Sequence, residues 1–303
     1  MNSSSSSPFV LRASTEDTDS PYGYVPTLWI CIMFVALFSV STTAQLIHTL
    51  FARQWFLLPT IILAGCGEIL GWAGRLWSNQ NLQAADPYMI QIACLIISPT
   101  PLLGAHFIIF GRLVKMLGPQ YSRFKPTLYS RIFLSCDVVS LVVQAVGGGM
   151  TASANDDAGV NLGTNIMLAG IAIQLAILII FTAIALEFVY RFNADKPVRL
   201  DTENLKIGYM DRRRRIGLYA VFCATFCLFI RAIYRLIELG DGWNGIVIQT
   251  QWTFDLFDSA MVVLAMYIWN FVPVSWILSG HGSTQELEMR YNTSNEPLNT
   301  KAL

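Results

Sequence analysis

Arg231-Ala232-Ile233-Tyr234-Arg235-Leu236-Ile237-Glu238 lies inside an apolar run over residues 216–239, long enough to cross a bilayer. Such a run should exclude charge. One charged side chain at the centre of a membrane helix costs about 2.5–3.5 kcal/mol on insertion scales. This run carries Arg231, Arg235 and Glu238. Spacings of four and three residues place them on one helical face. That face cannot meet lipid, so it is predicted to look into a bundle whose other helices supply partners.

The rest of the chain offers that bundle. Its 303 residues are 54% hydrophobic and 13% charged, with a mean hydropathy of +0.49, which is the composition of a polytopic membrane protein. Apolar segments fall at about residues 28–50, 56–77, 88–113, 132–150, 163–189, 216–239 and 253–277. Each approaches the ~20 residues a helix needs to span ~30 Å of hydrocarbon, the fourth only just. The runs are continuous rather than alternating, which argues against a β-barrel. The predicted fold is therefore all-α, a seven-transmembrane-helix bundle over residues 28–277. A polar, Ser-rich tail (1–27) precedes it and a short tail (278–303) follows. The first tail does not read as a cleavable signal peptide, and Asn2-Ser3-Ser4 is formally a glycosylation acceptor.

Basic residues set the predicted orientation. Arg53, then Lys115, Arg123 and Lys125, then Arg191, Lys196, Arg199, Lys206 and the run Arg212-Arg213-Arg214-Arg215 occupy one set of links, with Arg290 and Lys301 in the tail. The links at 78–87, 151–162 and 240–251 contain no Lys or Arg. The N-terminus is therefore expected outside and the C-terminus in the cytosol. The arginine run reads first as this topogenic signal, and in its sharper reading as a site for anionic lipid headgroups.

With that topology the intramembrane charges gather by depth. Glu68 and Arg75 on helix 2, Arg231, Arg235 and Glu238 on helix 6, and Asp255 and Asp258 on helix 7 fall in the outer half. Unpaired, they would cost on the order of 20 kcal/mol, more than the stability of a typical domain. They must pair, as a structural network across three helices, or line a wet cavity that takes an amphiphile's headgroup. Burying ion pairs gains little stability by itself, which favours a functional reading. Asp137 stands apart in the inner half of helix 4, with Gln144 seven residues on and Gly147-Gly148-Gly149 ending the same face. It is a candidate for proton relay or headgroup contact, or a hydrogen-bonding partner of a neighbouring helix. Ser98-Pro99-Thr100-Pro101 should break helix 3 near its middle. Gly65, Gly67, Gly71 and Gly74 should let neighbours approach helix 2 closely.

Other classes find little support. No phosphate loop is present, helix 7 has no lysine for a retinal linkage, and no nucleophile–base pair is visible. The chain reads as a non-enzyme without cofactor or metal, and without nucleic acid among its partners. Its six cysteines lie in apolar segments and imply no disulfide framework. His48, His106 and His281 fall toward the opposite side from the clustered acids, which disfavours an intramembrane hydrolase.

Several motifs together resemble the fungal lipid-translocating exporter family, the RTA-like proteins of aminocholesterol resistance. They are Glu68…Gly71-Trp72…Arg75, Pro99…Gly111-Arg112, Asp137…Ser140…Gln144…Gly147-Gly148, Gly163…Gly170…Gln174, Arg231…Tyr234-Arg235…Glu238, then Gly242, Gly245 and Asp258. Departures are Phe107 for a usual tyrosine, Gln251 for a glutamate, Asp255 for a tyrosine, and Val272-Pro273 for a final His-Pro. The resemblance implies transport or export of amphiphilic lipids, sphingoid long-chain bases or lipid-like toxins, and resistance to them, in a plasma membrane or endomembrane. Membrane lipids and amphiphilic small molecules are the implied partners. A cationic headgroup would be held by Glu68, Glu238, Asp255 or Asp258, with Arg75, Arg231 and Arg235 orienting those acids and Asp137, Gln144 and Tyr234 completing the site. The alternative is a seven-helix receptor for an extracellular amphiphile, which the span number and the basic link between helices 5 and 6 also fit.

Overall fold

The computed structural model describes residues 25–80, 85–154, 156–198, 210–242 and 245–278. Most of both expected tails, with the Asn2 acceptor and His281, lies outside the described residues. Among the described residues seven helices are long and apolar enough to cross a membrane. We number them α1 (Leu28–Ala52), α2 (Trp55–Gln80), α3 (Pro87–Leu117), α4 (Pro126–Ser153), α5 (Ala158–Asn193), α6 (Arg212–Gly240) and α7 (Gln251–Phe271). The protein is thus a multi-pass, all-helical membrane protein.

The predicted spans all appear, and their ends move for identifiable reasons. α4 is longer than the apolar run at 132–150. Pro126 starts it six residues earlier, where a proline needs no intrahelical donor. α7 ends at Phe271 instead of continuing to 277. Pro273 stops the helix, and Val274–Leu278 forms a separate short one. α1 closes at Arg53, in the left-handed region with φ 50, and turns at once into α2.

Successive antiparallel spans give the bundle two ends. One carries Arg53, Lys115, Arg123, Lys125 and the Arg212–Arg215 run, and we call it the basic face; the other is the far face. A connected core of Phe34, Trp72, Phe107, Phe110, Phe181 and Trp269 fills the interior. Large apolar side chains such as Trp29, Val139, Ile180 and Phe226 are exposed on the periphery, as a lipid-facing surface requires. Small residues set the closest contacts. A methyl group at Gly147 would stand 2.4 Å from the Met167 backbone nitrogen, so α4 and α5 touch backbone to backbone. Gly71 similarly admits the Leu95 side chain of α3 against α2.

Three irregular segments interrupt the helices. α2 begins with a 3-10 turn (Trp55–Leu57) and a π segment (Leu58–Ile62). α3 breaks at Ser98, between the helices Ala85–Ile97 and Pro99–Leu117. α7 carries a π segment at Asp255–Ala260. Such π turns cluster at functional sites, and here one holds both helix 7 acids.

Candidate functional site

The charged face of α6 meets α7, α2 and the broken middle of α3. Arg235, only 5% exposed, is the hub. Its Nε donates to Asp258 Oδ1 at 2.7 Å and its Nη2 to Asp258 Oδ2 at 2.6 Å, a bidentate fork. Its Nη1 donates to Glu238 Oε2 at 2.9 Å, and the Tyr234 hydroxyl donates to Glu238 Oε1 at 3.2 Å. Arg231 Nε stands 3.0 Å from Asp258 Oδ1 without hydrogen-bond alignment. Two guanidiniums and two carboxylates thus balance one another within van der Waals distance.

The α3 break places Arg231. In a continuous helix the Leu95 carbonyl would accept from the nitrogen of residue 99. That residue is Pro99, which has no N–H. Arg231 Nη2 donates to the freed carbonyl instead. Ser98 caps the same break by donating to the Cys94 carbonyl through both its backbone nitrogen and its hydroxyl.

Arg75 enters from α2 toward the far face. Its guanidinium lies 4.6 Å from the centroid of Phe254 and 5.5 Å from that of Trp72. Arg235 lies 5.1 Å from the centroid of the same Phe254 ring. One aromatic ring therefore serves two cations, each within the ~6 Å range of cation–π attraction. Asp255 is near enough to Arg75 to interact electrostatically. Phe34 stacks on Trp72 at 4.4 Å and closes this part of the bundle toward α1.

Glu68 behaves differently from the other acids. It is 1% exposed and lies within electrostatic range of Arg231. Yet its carboxylate makes no ion pair among the described residues, and its Oε1 has no hydrogen-bond partner. Of the four acids expected to hold a cationic headgroup, Glu238 and Asp258 are already engaged by arginines, whereas Glu68 is buried and unengaged.

A second polar group sits beside the first. Gln144 Nε2 donates to Gln174 Oε1 at 2.9 Å, and Gln174 Nε2 donates to Thr100 Oγ1 at 3.2 Å. This ladder ties α4 and α5 to α3 next to Pro99. Gln144, Gln174, Arg231 and Arg235 border one cavity of about 20 Å³. A cavity of about 40 Å³ lies on the other side of Arg235, against Arg75, Tyr88, Gln91 and Glu238. Each holds a water or two and no more, so the site is closed in this conformation. Asp137, seven residues before Gln144 on the same face of α4, does not border either cavity. It is fully buried, and neither carboxylate oxygen has a hydrogen-bond partner.

The Leu95 carbonyl and Phe254 escaped the sequence reading. The first had a signal: a residue four before a membrane-helix proline has an unused acceptor. Phe254 had none, since its role depends on the azimuth that the π segment gives α7. His106 is buried and takes a hydrogen bond at 2.9 Å from Trp269 Nε1.

The fold and this constellation define a seven-helix membrane protein with a balanced ion-pair network and an additional buried carboxylate, enclosed at the far-face half. Residues 61–281 match the family described as RTA1 like protein, and the chain belongs to that family. It is 30% identical over 281 residues to the sphingoid long-chain base transporter RSB1 of Saccharomyces cerevisiae, covering 84% of this chain and 73% of that one. Protein RTA1 of the same yeast is 27% identical over 272 residues, covering 82% of each chain. Protein RTM1, also from Saccharomyces cerevisiae, is 26% identical over 202 residues, covering 66% of this chain and 62% of its own. No solved structure matches.

Proposed function

We propose that this protein exports single-chain amphiphiles with a cationic amino head, sphingoid long-chain bases in the first instance, and so confers tolerance to them. The observation that carries the reading is Glu68. A buried carboxylate that no cation contacts directly costs several kcal/mol, and Arg231 and Arg235, though near enough to act on it electrostatically, are matched by Asp258 and Glu238. A protonated amine entering the site supplies the absent positive charge. The tail needs no protein pocket, since it stays in the surrounding hydrocarbon. The similarity to a sphingoid long-chain base transporter supports the same head chemistry.

The network has a role in this reading. The Asp258–Arg235–Glu238 chain fixes α6 against α7 and holds Arg235 on its two carboxylates. The closed cavities mean that α2 and α3 must separate from α6 to admit a head. Pro99 and the Leu58–Ile62 π segment lie where such a movement would hinge. By the positive-inside rule the basic face is cytosolic, and the site then faces the outer leaflet half. The plasma membrane is the compartment that makes export protective.

Release of a labelled sphingoid base from yeast cells lacking their own exporter tests this, with wild type and Glu68→Gln at matched surface levels. Release by wild type and a loss of at least tenfold in the variant is the expected outcome. Equal release by both removes Glu68 as the acceptor. No release by either, with a transcriptional response to the added base, replaces transport by sensing.

A further inference from the structure

A cavity far larger than those at the charge network lies elsewhere. It is a groove of about 960 Å³ on the membrane-facing side, between α5 and α6 in the basic-face half. It runs from Ile179 to Asn193 on α5 and from Phe229 back to Arg215 on α6. Fifteen residues of helix on each wall, with ~1.5 Å between successive residues, correspond to about 21 Å of rise. One leaflet contributes about 15 Å of hydrocarbon, half of the ~30 Å core. Leu186 and Phe222 are typical of the walls, and the amide and the charge that border the groove, Asn193 and Arg215, both lie at the basic-face end. The groove therefore has the shape and polarity of one membrane lipid, with its tail inward and its head at the surface.

Arg215 decides which lipid. It is exposed and makes no ion pair among the described residues. Its neighbours have other tasks: Arg213 lies 5.4 Å from the Trp276 ring, and Arg214 donates to the Met116 carbonyl at 3.3 Å. A guanidinium at the head position repels an ammonium and attracts a phosphate, so the transport cargo proposed above is disfavoured in this groove. We propose that the α5–α6 groove is a binding site for an anionic phospholipid, with one acyl chain between the helices and its phosphate on Arg215. The site is separate from the charge network and does not depend on the export reading.

The test uses the full chain reconstituted in nanodiscs of phosphatidylcholine and phosphatidylserine in equal amounts, released into native mass spectrometry. Wild type is expected to retain one phosphatidylserine about fivefold in preference to phosphatidylcholine, the factor one basic side chain near a membrane surface contributes. Ala183→Trp fills the groove from an exposed position and is expected to lose the retained lipid. Arg215→Gln is expected to keep a lipid and lose the preference. Equal retention of the two lipids by wild type would overturn the proposal, as would undiminished preference in Arg215→Gln. Preferential retention of an added sphingoid base would overturn it too, by making the groove part of the transport route. Should Ala183→Trp fail to fold, judged by its melting temperature, the Arg215→Gln comparison decides alone.

Discussion

Glu68 and Arg235 are both almost fully buried, and the structure gives them opposite duties. Arg235 satisfies two carboxylates at once. Removing it in Arg235→Ala leaves Glu238 without a cation and Asp258 with Arg231 alone, a broken buried pair that costs about 3–5 kcal/mol. Purified Arg235→Ala should melt well below wild type and reach the membrane in reduced amount. Arg235→Lys should rescue only partly, because an ammonium cannot form the fork. Glu68→Gln breaks no ion pair and should leave melting unchanged while release falls. Asp137→Asn provides the matching case on α4: with no ion pair to lose among the described residues and the Gln174 side chain the one hydrogen-bonding group acting on it, its melting temperature should stay within a few degrees of wild type or rise. A drop of ten degrees would show that the approach of Gln174 to this carboxyl is a stabilising hydrogen bond. The sequence named every one of these residues, because charge inside an apolar run is conspicuous. It did not say which acid stands without a cation. That depends on how α2 and α7 are rotated, and the α7 rotation comes from a π segment that no residue pattern marks.

Two elements carry most of the geometry, the break in α3 and the contact of α4 with α5. Pro99→Ala restores a donor for the Leu95 carbonyl and so competes with Arg231 for it. The expected result is a protein as stable as wild type, or more so, with sphingoid base release reduced several-fold. Unchanged release would mean that the break is only a packing feature. At the α4–α5 contact, Gly147→Ala drives a methyl group into the Met167 backbone, which cannot move as a side-chain tip would. A loss of about 1–3 kcal/mol follows, read as a lowered melting temperature. Gly149→Ala, two residues on, meets nothing within 4 Å and should be neutral or slightly stabilising through helix propensity. The glycines and prolines were readable as punctuation from the sequence alone. Which of three adjacent glycines leaves no room for a methyl group was not, since that requires the register between two helices.

At the scale of the whole molecule, the division into a basic face and a far face is the property from which transport direction follows. The far-face links at 78–87, 151–162 and 240–251 hold no Lys or Arg, while the other face holds the Arg212–Arg215 run and eight further Lys and Arg residues among those described. Because Lys and Arg bias, rather than net charge, governs insertion, the basic face should lie in the cytosol with the ion-pair network in the outer half. Single cysteines test this in a variant whose native cysteines are replaced. One at Ser153, on the far face, should react with a membrane-impermeant maleimide in intact cells. One at Arg123, on the basic face, should react only after permeabilisation. The reverse pattern would place Glu68 in the inner half, and the amine would then be captured from the cytosolic leaflet at the network itself. With the expected pattern, the amine must first cross the inner half of the bundle. The Gln144–Gln174–Thr100 ladder lies beside the network at the level of Arg231 and borders the same cavity, where an amine leaving the inner half would meet it. Gln174→Leu should therefore slow release more than it lowers stability, and equal losses in the two measurements would assign the ladder to packing alone.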